Sequence, residues 1–208
     1  MSVISATAVK ELREISGAGM MDCKKALSEA SGNLDKAMDI LRKSGIAKAQ
    51  KKSGRSTKEG MIFSYIHPGA KLGVLIEINC ETDFVAKTDD FINPTKNLAM
   101  HIAASEPIAI KREDISFDVL EREKDIYSDQ AKQSGKPNNI IEKMIEGRIN
   151  KFYQENVLLE QAFVKDADKT VQDIIMDTIS KLGENIVVSR FVRFQLGEPT
   201  NHSSPANN

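Results

Sequence analysis

The sequence predicts an α+β protein: a three-helix N-terminal bundle, then a core in which helices pack on a three-stranded antiparallel sheet. Three observations carry this reading. Apolar residues recur at helical spacing through the first 43 residues, the period changes to two after residue 60, and helical spacing returns before one last alternating run near residue 190. Composition agrees: 40% hydrophobic and 28% charged residues suit a globular chain with a buried core, and 208 residues leave room for one ordinary domain plus a small one.

The elements follow in order. Val9 and Leu12 begin an amphipathic stripe that runs to Ile15 and stops at Gly17-Ala18-Gly19, where glycine tolerates positive φ. MMDCKKALSEA then places Cys23, Ala26, Leu27 and Ala30 on one side. Ser31-Gly32-Asn33 turns the chain, and Leu34, Ala37, Met38 and Leu41 make the third stripe. Residues 1–44 thus form a miniature bundle near the lower size limit for independent stability. Residues 45–58 read as a basic, partly helical linker. The stretch 42–58 holds seven basic residues and no acid; alanine, lysine and glutamine favour helix, and Ser53-Gly54 ends it. A solvated linker is the plainer reading, and a contact surface for RNA or an acidic partner is the alternative.

Residues 59–197 are the core. Met61, Phe63 and Tyr65 alternate with Ile62, Ser64 and Ile66; His67-Pro68-Gly69 turns the chain; Leu72, Val74, Ile76, Ile78 and Cys80 then share one face, completing a β-hairpin. ENIVVSRFVRFQL alternates through Ile186, Val188, Val192, Phe194 and Leu196 and is a third strand added to that hairpin. Between them, Asn93 as cap and Pro94 at the first helical position open PTKNLAMHIAAS. Residues 118–134 are charged and weakly patterned. Ile140, Ile141, Met144, Ile145, Arg148, Ile149 and Phe152 make a broad stripe, and Val171, Ile174, Ile175, Ile179 and Leu182 make another that ends at Gly183. Residues 198–208 lack an apolar anchor and predict a disordered tail.

Most chemistry is missing from this pattern. With 29 basic and 30 acidic residues the chain lacks the basic excess of a general nucleic-acid binder. Cys23 and Cys80 form no CxxC pair, so reduced thiols are expected rather than a disulfide framework or a zinc site. No apolar leader or membrane-length segment stands out, which predicts a soluble cytoplasmic protein. There is no phosphate-loop motif, GAGMMD lacks the third glycine of a dinucleotide fingerprint, and the histidines are scattered; His101 reads as a satisfied core residue. No catalytic group, cofactor or metal site is expected. One stretch stands apart: NCETDFVAKTDD, residues 79–90, with Glu81, Asp83, Asp89, Asp90 and one phenylalanine. The spacing fits no EF-hand loop. Asp89 and Asp90 suit a helix N-terminus after Thr88. Phe84 is either a plug over the core, the commoner case, or an exposed anchor for a partner.

VKELREISGAGMMDCKKAL (residues 9–27) and EINCETDFVAK (77–87) resemble the two signatures of the bacterial elongation factor Ts family, and the order of parts agrees over residues 2–197. The resemblance implies a non-catalytic guanine-nucleotide exchange factor that engages elongation factor Tu in its GDP-bound and nucleotide-free forms. It implies a ubiquitin-associated-like N-terminal bundle that docks on the GTPase's nucleotide domain through Arg13, Met20 and Met21. It also implies that the turn Thr82, Asp83, Phe84, Val85 intrudes beside the helix that helps hold Mg²⁺, while the core grips another domain. Longer family members carry a second core subdomain and a coiled-coil excursion, and neither is read in this chain. Short members pair, so a homodimer through the sheet edge of residues 185–196 and a 2:2 complex are expected. The family has one continuous helix where Asn93-Pro94 falls, so a kink or restart at Pro94 is expected here. Two other functional classes compete. An RNA- or ribosome-binding adaptor would use residues 42–58, but near-neutral charge and the absence of interleaved aromatics oppose it. A metal-dependent hydrolase would need Glu81, Asp83, Asp89 and Asp90 to converge.

Overall fold

The computed structural model describes residues 4–133 and 136–198. Its first three helices, α1 (Ala6–Ser16), α2 (Met20–Glu29) and α3 (Leu34–Gln50), enclose Val9, Leu12, Cys23, Ala26, Leu27 and Ala37. Local chemistry sets their ends. The Ser5 hydroxyl accepts the Ala8 N–H at 3.1 Å, the Asn33 side chain accepts the Lys36 N–H at 2.9 Å, and Gly17 closes α1 with φ +66°. Ile15, expected at the end of the buried stripe, is instead 63% exposed.

Helix α3 does not stop with the bundle. It runs on through half of the basic stretch, and Ala49 near its end lies buried in the core's hydrophobic cluster. Several basic groups of this stretch are engaged in the fold: Lys48 pairs with Asp22 at 2.8 Å, Lys52 donates to the Gly183 carbonyl, and Arg55 meets Glu81 at 3.5 Å.

The sheet has the order β1 (Glu59–Ile66), β2 (Leu72–Cys80), β5 (Val187–Gln195), all antiparallel. Val74, Ile76, Ile78 and Cys80 on β2 are fully buried, as strict alternation at the centre of a half-covered sheet requires. Gly60 has to be glycine. Its φ is +146°, and a Cβ there would sit 2.7 Å from the Asn79 Cα and closer still to the Ile78 carbonyl oxygen. Helices α5 (Asp89–Ser105) and α8 (Val171–Leu182) cover the inner face with Phe91, Leu98, Ile102, Val171, Ile175 and Ile179. A short strand pair unannounced by the sequence, β3 (Ala162–Phe163) with β4 (Asp166–Thr170), closes one side.

Three expectations are corrected. First, Ile186, Val188, Val192, Phe194 and Leu196 do not share a face. The β2–β5 register passes from Glu77↔Arg190 to Ile78↔Val188, which leaves Ser189 as an extra residue. That bulge inverts the alternation. Ile186 and Val188 are buried, Phe191 takes over the inner face, and Val192 and Phe194 point outward with Leu196 also exposed. Second, no helix begins at Asn93-Pro94. Helix α5 starts at Asp89 after Thr88 and continues through Pro94. Proline at the sixth position removes only the N–H that would reach the Asp90 carbonyl, while buried Phe91 and the Thr95 hydroxyl, donating to the Phe91 carbonyl at 2.8 Å, hold the first turns to the core. Third, a helical excursion is present. Helix α6 (Phe117–Lys132) packs principally on α7 (Asn138–Asn156), and α7 is itself anchored by buried Ile149 and Phe152. Arg148 lies over the Tyr127 ring across this pair, 5.7 Å from its centroid. The disordered tail expected over residues 198–208 falls, beyond Glu198, outside the described residues.

Candidate partner-binding turn

Strand β2 ends at Cys80, and the chain turns at once into a single helical turn, α4 (Asp83–Ala86). Thr82 has the extended backbone of an N-cap, and its hydroxyl oxygen faces the Val85 N–H at 3.5 Å. The turn is fastened from below. The buried Cys80 thiol donates to the Thr82 carbonyl at 3.1 Å, and burial pushes that thiol's pKa up. The Thr88 hydroxyl donates to the Val85 carbonyl at 2.8 Å, and Val85 and Ala86 rest against the core. What projects is Phe84, 79% exposed. Beside it, Asp83 pairs with Lys87 at 2.7 Å, and the Lys87 ammonium holds its carboxyl below the usual carboxylate range.

The expected site residues therefore divide. In the TDFVA turn, Phe84 and Asp83 are presented to solvent, Thr82 caps the turn at the surface, and Val85 faces inward as its anchor. On the bundle, Arg13 lies exposed on α1, and Met20 and Met21 lie exposed at the start of α2, Met21 to 75%. Both methionines are large apolar side chains held in water on a small bundle. Ile15 belongs in that description, although its spacing had assigned it to the core. Its position next to the Gly17 helix end was the available signal.

The acids of residues 79–90 do not converge. Glu81 accepts the Asn185 N–H at 2.7 Å and faces Arg55; Asp83 goes to Lys87; Asp90 pairs with Lys181 of α8 at 2.7 Å; Asp89 opens α5. His101 is wholly buried, with its Nε2 2.9 Å from the Gln161 amide oxygen.

The whole chain can be compared with known proteins. The family model described as elongation factor TS matches residues 3–198. The chain belongs to the elongation factor Ts family. An elongation factor Ts of Fervidobacterium nodosum is 60% identical over 195 residues, covering 94% of this chain and 99% of that protein. One of Thermoanaerobacter sp. strain X514 is 57% identical over 202 residues, 97% of this chain and 99% of the relative. One of Geobacter sulfurreducens is 59% identical over 195 residues, 94% of this chain and 90% of the relative. The match runs through both the helical bundle and the sheet-containing core of this chain, and assigns it to protein biosynthesis.

Proposed function

We propose that the chain is a cytoplasmic guanine-nucleotide exchange factor for elongation factor Tu, and that it works by inserting Phe84 and Asp83. The observation that supports this reading is the presentation of Phe84: an aromatic ring held almost fully in water on a turn whose other residues are tied down. An exchange factor makes and breaks no bond. It binds the nucleotide-free GTPase more tightly than the loaded one, and linkage lowers nucleotide affinity by the same factor. Each tenfold loss of nucleotide affinity needs about 1.4 kcal/mol of differential binding. In this reading Phe84 fills a pocket open only in the distorted GTPase, and Asp83 disturbs the groups around the GTPase's Mg²⁺. Arg13, Met20 and Met21 dock the bundle on its nucleotide domain.

Pairing of two copies belongs to the same proposal. The outer face of the sheet supports it. The strand registers set Ile62 and Ile66 of β1, Leu75 of β2 and Val192 and Phe194 of β5 on one face, all exposed and extending across the sheet to the edge strand β5. A second copy laid against that face and edge would give a 2:2 assembly.

Stopped-flow release of fluorescent GDP from elongation factor Tu tests the exchange reading. The chain should accelerate release, and Phe84→Ala and Asp83→Ala should each slow it at saturating factor. Rates unchanged by both substitutions would sink the insertion mechanism.

A further inference from the structure

A wedge transmits force only if its base is held, and the base of this one is held by residues about one hundred positions away. Past Cys80 the strand ladder has ended, so the amides of Glu81 and Thr82 have no strand partner. One carboxylate takes both. Glu184 Oε2 accepts the Glu81 N–H at 3.1 Å and the Thr82 N–H at 3.0 Å, and Oε1 accepts the Thr82 hydroxyl at 2.6 Å. The return is reciprocal, since the Glu81 carboxylate accepts the Asn185 N–H at 2.7 Å. Asn185, itself buried, donates from its side chain to the carbonyls of Arg55, at 2.9 Å, and Ser53, at 3.4 Å. Glu184 is fixed in turn, standing between Gly183, which ends α8 with φ +79°, and the first residues of β5.

We propose that Glu184 is a positioning residue for exchange: by gathering three donors from Glu81 and Thr82 it holds the Asp83–Phe84 turn in the conformation that enters the GTPase. This rests on the insertion reading above and extends it to a residue outside the turn. A turn left free would have to be ordered during insertion, and that entropy would be subtracted from the differential binding that drives nucleotide release. Charge-assisted bonds to backbone amides suit the task, because they fix the peptide planes themselves. Docking through Arg13, Met20 and Met21 would be unaffected.

The test is Glu184→Gln in the full chain, with fluorescent GDP release from elongation factor Tu measured across factor concentrations. Glutamine offers one acceptor oxygen where the carboxylate offered two. The maximal release rate should fall about tenfold, equivalent to about 1.4 kcal/mol, with the half-saturating concentration changed less than about twofold. Amide exchange at residues 81–86 should rise selectively. Mere loss of folded protein would do the reverse, raising the half-saturating concentration and leaving the maximal rate intact. Glu81→Gln, which weakens the Asn185 contact and the Arg55 pair but leaves the Glu184 carboxylate in place, should lower the same rate less. In a background with both Asp83→Ala and Phe84→Ala, Glu184→Gln should add nothing. A wild-type maximal rate for Glu184→Gln, with Phe84→Ala defective, overturns the positioning role and leaves the insertion reading standing. Wild-type rates for both Phe84→Ala and Asp83→Ala overturn the insertion reading itself.

Discussion

Acidifying the solution from about pH 7.5 to about pH 5.5 should weaken this fold through one side chain, His101. The ring is wholly buried, and both nitrogens are spoken for. Gln161 donates its side-chain N–H groups to the carbonyls of Ser105 and Glu155, so its amide oxygen is the atom that faces His101 Nε2 at 2.9 Å. Nε2 therefore carries the proton, and Nδ1 accepts the Val164 N–H at 3.3 Å. A second proton on Nδ1 would confront that N–H inside the core, with the Ser105 hydroxyl oxygen 3.5 Å from Nδ1. Burial accordingly lowers the His101 pKa, opposed only in part by the Gln161 bond. The sign follows. With the folded value depressed, stability is full above the unfolded pKa of about 6.5 and declines as pH falls below it, because there the unfolded chain takes up a proton that the folded chain refuses. One proton gives at most about 1.4 kcal/mol per pH unit, so at most about 0.4 kcal/mol is lost at pH 6.5 and at most about 1.4 kcal/mol at pH 5.5. Carboxylates titrate mainly lower, near pH 4. Urea denaturation through this range measures the slope, and His101→Gln isolates the contribution of His101 from that of exposed His67. A flat profile in the parent chain, or the same slope in His101→Gln, would refute the argument.

Two further outcomes follow from the sheet. Gly60→Ala forces an L side chain to φ +146° against the β2 backbone; it should destabilise by more than about 2 kcal/mol, read as a lowered urea midpoint with unchanged slope. Phe194→Asp places a charge on the apolar outer face at the edge strand β5, where Phe194 is 69% exposed. It should leave the monomer's stability within about 0.5 kcal/mol and convert a dimer to a monomer in ultracentrifugation. A parent chain already monomeric at micromolar concentration would count against pairing.

The legible parts of this fold are those decided by neighbours in sequence. Val74, Ile76, Ile78 and Cys80 could be read because β2 is the central strand, half-covered along its whole length. The bundle stripes and the Gly17 and Gly183 helix ends were readable for the same local reason. What escaped was decided by pairing. The bulge at Ser189 exists only in register with β2, and without it the parity of β5 reads wrongly from residue 190 onward. Helix α6 looked unpatterned because a helix packed mainly on one other needs only a narrow apolar seam. Pro94 resembled a second helix start, although Asp89 and Asp90 had marked the true one after Thr88, and the packing of Phe91 and Thr95 carries the helix through it. For the site, Phe84 was conspicuous as an aromatic among acids, whereas nothing near Glu184 in sequence hints that it supports residues 81 and 82.

Helix α3 carries a last consequence. Because it begins in the bundle and ends with Ala49 inside the core cluster, Met20 and Met21 are joined to Phe84 by a rod rather than a tether. Its length acts as a gauge: each residue gained or lost would turn the bundle by about 100° and shift it by about 1.5 Å. Two contacts on a stiff spacer reinforce each other only at a matching span, and they fail together at any other. Under the proposed docking, the distance between the two footprints would be set by the number of residues from Leu34 to Gln50, and a partner whose two contact surfaces separate would have to strain against that length or release one end.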